Sequence, residues 1–280
     1  MNPKALLLLS GLGCATGLQA QTSTLEFPAP SPACTLKQRV GLTDIEVVYS
    51  RPSMKGRVIF GGVVPYNEVW RTGANAPTRI SFSTAVKLSG LDVPAGTYAL
   101  YTIPGETEWT VILSKETKGS PFDYKPENDL GRVKVRPVTL TDSIDTFTIE
   151  FNHIRDESAV LNLVWEKTVV PLNIAFEVTA KLLPQIEAAM SAPGDNKPYF
   201  QAAGFYFEHG QDLQKARKWV DAAIAQNEAY YIIHLKAKIL AKLGEKEAAI
   251  AAAKRSSELA AKAKDNAYVR LNEQLIASLQ

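Results

Sequence analysis

The feature that most constrains the fold is a change of hydrophobic period near residue 180. Before it, apolar and polar residues alternate, as where Ile80, Phe82, Val86 and Leu88 are interleaved with polar residues between positions 78 and 88. A period of two is typical of strands with one buried face. After Ala180 the sequence is rich in Ala, Lys, Glu and Gln, and its period becomes helical. The chain therefore predicts a β domain followed by an α domain.

The first half predicts an antiparallel β-sandwich, because many short apolar segments are separated by hairpin-like turns. We read 78–88 as one alternating strand and 115–128 as a long loop. We place Pro171 at a sheet edge or bulge, since proline has no donor for a strand ladder. The other predicted strands are 45–49, 98–103, 109–113, 132–135, 147–151, 159–165 and 170–178.

The second half contains an internal match with a spacing of 34 residues, measured from Gly210 to Gly244. This period resembles the tetratricopeptide repeat, in which small residues allow two antiparallel helices to approach closely. The alternative is a helical bundle that merely shares the period. The matched residues are Ala203, Gly210, Ala216 and Ala223 with Ala237, Gly244, Ala249 and Ser256.

A series of motifs between Cys34 and Ala180 resembles the exported bacterial DUF2911 family, a family of unknown function. The resemblance implies the fold and export, but no activity. The motifs are Lys37–Asp44, Tyr49–Ser53, Trp70–Asn75, Pro94–Tyr98 and Trp109–Ile112. The predicted organisation is a signal peptide at 1–20, an extension at 21–36, the sandwich at 37–180, a bridging helix and linker at 181–198, and tetratricopeptide-like helices at 199–280.

Residues 1–20 predict export to the periplasm or beyond. They carry an early Lys4, a short apolar run and a small residue, Ala20, before Gln21, which is the pattern of a secretory signal peptide. The apolar run is shorter than the roughly 20 residues that a membrane-spanning helix needs, and we predict no integral membrane segment. Acylation at Cys14 is an alternative, although Gly11 and Leu12 fit a lipobox poorly.

Charge and motif content exclude several function classes. Removing Lys4 with the signal peptide lowers the net charge from +2 to about +1, which does not favour nucleic-acid binding. Cys34 is then the remaining cysteine, so no intramolecular disulfide forms. The sequence contains no Gly-x-Ser-x-Gly, His-Glu-x-x-His or P-loop motif. We predict no metal and no cofactor, and leave open whether the protein is an enzyme.

The candidate ligand site lies in the loops between residues 49 and 80. Five cations there, including Lys55, face one carboxylate, Glu68, so the local charge is +4. Arginine side chains suit carboxylates or phosphates, and aromatic rings suit sugar faces. The candidate residues are Arg51, Arg57, Tyr66, Trp70, Arg71, Asn75 and Arg79.

Three functions remain open at this stage. The leading one is an exported, non-catalytic binding or assembly module, with an anionic or sugar-like ligand at the loops and a protein partner at the helical repeats. The second is an envelope enzyme acting on an anionic or sugar-like substrate through Arg71 and Asn75, with His153 or a carboxylate moving a proton. The third is a purely structural loop, in which Trp70 plugs the sandwich and the polar side chains satisfy loop carbonyls.

Overall fold

A computed structural model describes residues 25, 27–118, 123–194 and 196–280. The predicted signal peptide therefore lies outside the described residues, as does part of the 115–128 loop. In the described residues, no helix combines the length and apolar character needed to cross a membrane.

The first half of the described chain forms two antiparallel sheets packed face to face. The six-stranded sheet has the order β1-β2-β3-β6-β7-β8, and the four-stranded sheet has the order β5-β4-β10-β9. One apolar core contains residues of both sheets, such as Val47 and Ile80 from the first and Leu161 and Leu172 from the second. The predicted antiparallel β-sandwich is thus confirmed. The strands are β1 (Ala33–Val40), β2 (Thr43–Ser50), β3 (Thr78–Phe82), β4 (Val86–Leu88), β5 (Leu91–Val93), β6 (Gly96–Ile103), β7 (Trp109–Ser114), β8 (Asp129–Val135), β9 (Val138–Arg155) and β10 (Ser158–Ala175).

The prediction of one strand over 78–88 is wrong. The chain forms β3 in the first sheet and then crosses to form β4 in the second. At the crossing, Ser83 N donates to Asp44 O at 3.0 Å, and the Thr84 and Thr43 hydroxyls are 2.6 Å apart. The alternation continues across the break because both faces belong to the same core, so periodicity alone could not reveal it.

The hairpin of β9 and β10 is sharply bent. Phe176 N donates to Glu157 O at 3.0 Å, although β10 and its flanks separate these residues in sequence. The bend lies near Glu166, which has a φ of 53° and a register shift on each side. Pro171 lies between the stretch of β10 that pairs with β9, ending at Val169, and the stretch that pairs with β4 from Ile174. Its missing donor therefore interrupts neither ladder.

The second half of the chain is helical, which confirms the predicted fold class of segregated β and α parts. Gly210 and Gly244 have φ angles of 63° and 82° and end the first helix of each predicted pair. The matched alanines and Ser256 are buried, whereas Gly210 and Gly244 are exposed in the turns. The helices are α1 (Val178–Ser191), α2 (Tyr199–Glu208), α3 (Leu213–Gln226), α4 (Tyr230–Lys242), α5 (Lys246–Lys262) and α6 (Asn266–Ser278).

The last helix is fixed by a buried polar network. Asn272 is fully buried, and its amide nitrogen donates to Ser256 Oγ and Tyr268 O, both at 2.8 Å. Its amide oxygen lies 2.8 Å from His234 Nδ1. Because buried polar groups are costly when unpaired, this network specifies how α6 packs on α4 and α5.

The two ends of the sandwich carry different structures. The β1–β2 turn at Gly41 and the β9–β10 turn at Asp156 meet the start of α1. The candidate loop follows the other end of β2, where Arg51 N donates to Pro32 O at 2.9 Å. Since β1 has eight residues, these ends are separated by roughly 26 Å. The candidate loop and the helices therefore lie at opposite ends of the sandwich.

Candidate functional site

Trp70 lies in an aromatic core and not on the surface. Its indole is 8% exposed, stacks on Trp165 at 5.8 Å and meets the edges of Phe60, Trp109 and Phe147. Its backbone pairs with Thr102 of β6. Trp70 N donates to Thr102 O at 2.7 Å, and Trp70 O accepts from Thr102 N at 2.9 Å. Trp70 thus anchors the loop, and its ring faces contact protein.

The turn after Arg71 is strained. Thr72 is fully buried and has a φ of 55°, which is unfavourable for a β-branched residue. Its hydroxyl is 3.1 Å from that of Thr102, and its carbonyl accepts a 2.5 Å hydrogen bond from Thr78 Oγ1. Conformations of this kind cost about 1–3 kcal/mol, persist only where surrounding contacts enforce them, and cluster at functional sites.

Asn75 ties the loop to neighbouring backbone. Its amide nitrogen donates to Ser31 O and Ser50 Oγ, both at 3.2 Å. Gly73 also packs on this backbone, because a Cβ there would lie 3.0 Å from Ser50 O. Both residues therefore have structural contacts that explain their identity.

Arg51 and Arg57 also make structural hydrogen bonds. Arg51 Nε donates to Phe147 O at 3.1 Å and joins the loop to β9. Arg57 donates to Met54 O and Ser53 O, both at 2.9 Å. These two guanidinium groups thus close the first part of the loop.

Tyr66 and Arg79 lie in two different environments. Tyr66 is half-buried, and its ring covers Gly61, where a Cβ would lie 2.8 Å from the ring. Arg79 is exposed on the outer face of β3, in register between Val48 and Ala99. The structure therefore distributes the predicted residues over the loop and a sheet face and does not gather them all in one pocket.

Arg71 is different because its Nε is buried without a hydrogen-bond partner. Two other buried side-chain atoms share this property among the described residues, Asp221 Oδ1 and Ser257 Oγ. Asp221 Oδ1 nevertheless lies 2.7 Å from Lys236 Nζ in an ion pair, and Ser257 is neutral. Buried polar groups are nearly always paired, so an unpaired guanidinium nitrogen requires an explanation.

The cations of the candidate loop have no carboxylate partner within ion-pair distance among the described residues. None of the ion pairs formed between described residues involves Arg51, Lys55, Arg57, Arg71 or Arg79. Positive charges attract anions over distances up to the Debye length, which is about 8–10 Å at ordinary salt concentrations. These cations are therefore available to an anionic ligand, although the carboxylates of Glu68 and Asp145 lie at the same end of the sandwich.

His153 does not lie beside Trp70. It is exposed on β9, six residues beyond Phe147, whose ring is 5.2 Å from the indole of Trp70. At about 3.3 Å per residue, six residues of strand span roughly 20 Å. This distance does not support the version of the enzyme hypothesis in which His153 transfers a proton at the Trp70 loop.

Local sequence patterns did not indicate that His209 meets two carboxylates at the junction of the sandwich and the helices. His209 ends α2, is 10% exposed in its side chain, and lies 3.0 Å from Thr179 Oγ1. Its ring nitrogens are 3.4 Å from Asp156 and 3.9 Å from Glu157. Both carboxylates lie close to His153 in the sequence, but they face His209, which no local sequence signal indicates.

Glu157 gives this junction a pH-dependent stability. A 2.6 Å hydrogen bond from Thr179 N lowers the pKa of Glu157 below 4.5, and His209 acts in the same direction. A lowered folded-state pKa stabilises the fold above the unfolded-state value, and this contribution is lost as the pH falls through the folded-state pKa. We expect Glu157→Gln to be destabilising at pH 7 and its effect to shrink below about pH 4, measured by urea unfolding. An equal effect at both pH values would contradict this.

No potential metal site occurs among the described residues, since no three His, Cys, Asp or Glu side chains are suitably grouped.

The fold defines a class of protein, an antiparallel β-sandwich followed by a helical region. A family model described as "Protein of unknown function (DUF2911)" matches residues 31–174, just over half of the 280 residues, and the chain belongs to this family. The resemblance predicted from the motifs is thereby confirmed. No curated protein and no solved structure matches the chain.

Proposed function

We propose that this protein is an exported, non-catalytic binding module of the cell envelope that holds an anionic ligand at Arg71. The observation that carries the proposal is the buried, unpartnered Nε of Arg71 beside the strained Thr72. Because this nitrogen is closed to solvent, the loop would shift to expose it, and a ligand oxygen would then supply the missing acceptor.

The expected ligand carries a carboxylate or phosphate, as in a uronic acid or a sugar phosphate. An arginine presents parallel donors that match these groups, and such charge-assisted hydrogen bonds are about twice as strong as neutral ones. The neighbouring cations, which form no ion pairs with described residues, would further favour an anion.

A binding role fits the placement of the histidines better than catalysis does. His209 and His234 lie in the helical half, and His153 lies roughly 20 Å along β9 from the Trp70 core. Glu68, the carboxylate within the loop, is exposed. No observation specifically favours the enzyme alternative.

The helical array is proposed to provide the assembly function, through contact with a protein partner. Stacked helix pairs present extended surfaces of the kind that bind protein segments. Because the helices and Arg71 lie at opposite ends of the sandwich, ligand and partner could bind together.

Export is proposed from the N-terminal sequence and is tested separately. We expect the protein recovered from the periplasm or medium to begin at Gln21, measured by intact mass. A chain beginning at an acylated Cys14 would instead support the lipoprotein alternative. Retention of the full chain in the cytoplasm would contradict export.

Arg71→Ala is expected to abolish ligand binding while the protein remains folded. We expect inorganic phosphate, a uronic acid or a sugar phosphate to raise the Tm of the chain from Gln21 to Gln280, because binding to the folded state stabilises it. The rise should disappear in Arg71→Ala and be reduced in Arg71→Lys, which cannot form the same paired contacts.

Arg155→Ala is the matched control for this experiment. Arg155 is an exposed arginine next to the β9–β10 turn, at the opposite end of the sandwich from Arg71. Its loss should leave the ligand-induced rise in Tm unchanged. If every anion raises the Tm of Arg71→Ala as much as that of the wild type, binding is not at Arg71 and the proposal fails.

A further inference from the structure

A cavity lies at the junction of the sandwich and the helices. It has a volume of about 510 Å³ and lies between α1 and α2, with Asp156 of the β9–β10 turn at its edge. This volume is within the range of about 300–1,000 Å³ that is typical of small-molecule sites, which also favour domain interfaces. Its apolar lining includes Leu182, Ile186, Phe200 and Phe205.

Gly204 keeps part of this cavity open. It lies inside α2, where a glycine costs roughly 0.5–1 kcal/mol relative to alanine. Packing does not require it, because a Cβ there would meet just Leu235 Cδ2, at an ordinary contact distance of 3.8 Å. The helix therefore contains a destabilising residue whose structural effect is to leave the cavity wall without a side chain.

The polar lining of the cavity is acidic. Asp156 and Glu208 line it together with His209, and no lysine or arginine is among its lining residues. Glu208 pairs with Lys238 at 2.8 Å, whereas the Asp156 side chain is 73% exposed and touches His209 at 3.4 Å. Asp156 is thus an accessible carboxylate at the edge of a mainly apolar cavity, whose other polar lining residues are Gln201, Glu208 and His209.

We infer that this cavity binds a small organic cation, with an apolar body between α1 and α2 and an ammonium group at Asp156. The apolar body would cover Phe200, Phe205 and the aliphatic side chains of α1. This site is separate from the proposed anion site, since Arg71 lies at the other end of the sandwich.

The test compares two probes that share a phenyl ring but differ in charge. Binding of 2-phenylethylammonium and of 3-phenylpropanoate to the chain from Gln21 to Gln280 is measured by calorimetry. We expect the cation to bind and the anion not to bind. Asp156→Asn should weaken binding of the cation about tenfold, which is the loss expected for one charge-assisted hydrogen bond.

Gly204→Leu tests the cavity itself by filling it. We expect this variant to fold and to lose cation binding, while Ala225→Leu, an exposed control on α3, keeps it. Arg71→Ala should also keep cation binding, which separates this site from the proposed anion site. The inference is overturned if neither probe binds, if both bind equally, or if binding survives Gly204→Leu.

Discussion

Replacing Trp70 by Ala is expected to lower the free energy of unfolding of the sandwich by about 3–5 kcal/mol, as for other buried aromatic residues. The substitution removes the ring that stacks on Trp165 and meets Phe60, Trp109 and Phe147. Urea unfolding monitored by far-UV circular dichroism gives the measurement.

Trp70→Phe is the control for this substitution, because it keeps an aromatic ring but loses the hydrogen bond from Nε1 to Gly73 O, which is 3.1 Å long. It should cost clearly less than Trp70→Ala. A loss below about 1 kcal/mol for Trp70→Ala would contradict a core role and would restore Trp70 as a surface residue available for ligand stacking.

Replacing Gly41 by Ala is expected to destabilise the protein by about 2–5 kcal/mol, from two separate causes. Gly41 has a φ of 53°, and a left-handed conformation costs an alanine roughly 1–2 kcal/mol. A Cβ would also lie 2.3 Å from Asp156 O and 2.6 Å from Val178 Cγ2, so the junction must shift. Such overpacking typically adds about 1–3 kcal/mol. Thermal and urea unfolding measure the total.

Gly210→Ala separates these two causes. Gly210 has a similar φ of 63°, but a Cβ there would meet nothing within 4 Å. It should show the backbone cost alone, so the difference between the two variants measures the clash at the junction. Equal losses would mean that the β1–β2 turn is not closely packed against Asp156 and α1.

Local patterns predicted most of the elements because those patterns reflect burial directly. The patterns around Trp109 and Trp165 predicted strands at 109–113 and 159–165, which lie within β7 and β10, and both rings are buried. The 34-residue spacing of Gly210 and Gly244 located the turns within both helix pairs. In each case the sequence period equals the period of the structure, so no knowledge of distant contacts is needed.

Features that depend on distant contacts could not be predicted in the same way. The crossing between β3 and β4 is not evident from the sequence, because the buried residues of both strands continue a single alternation. The contact of His209 with Asp156 needs the bent β9–β10 hairpin and the packing of α2, neither of which leaves a local signal.

The candidate loop illustrates the same limit for function. Composition identified the cations between residues 49 and 80, but not their different environments. Arg51 and Arg57 bind backbone carbonyls, whereas Arg71 keeps a buried Nε without a partner. This distinction depends on the folded loop, in which the residue after Arg71, Thr72, has a φ of 55°.

The most direct test of anion binding is the NMR resonance of the Arg71 Nε–H group, assigned by its loss in Arg71→Ala. The spectrum is recorded while inorganic phosphate and then a sugar phosphate are titrated into the chain from Gln21 to Gln280. The proposal predicts a saturable downfield shift of this resonance, with that of Arg155 unchanged, because the buried donor gains an acceptor. An Arg71 resonance that does not respond, or that moves in parallel with every exposed arginine, would contradict an anion site at Arg71.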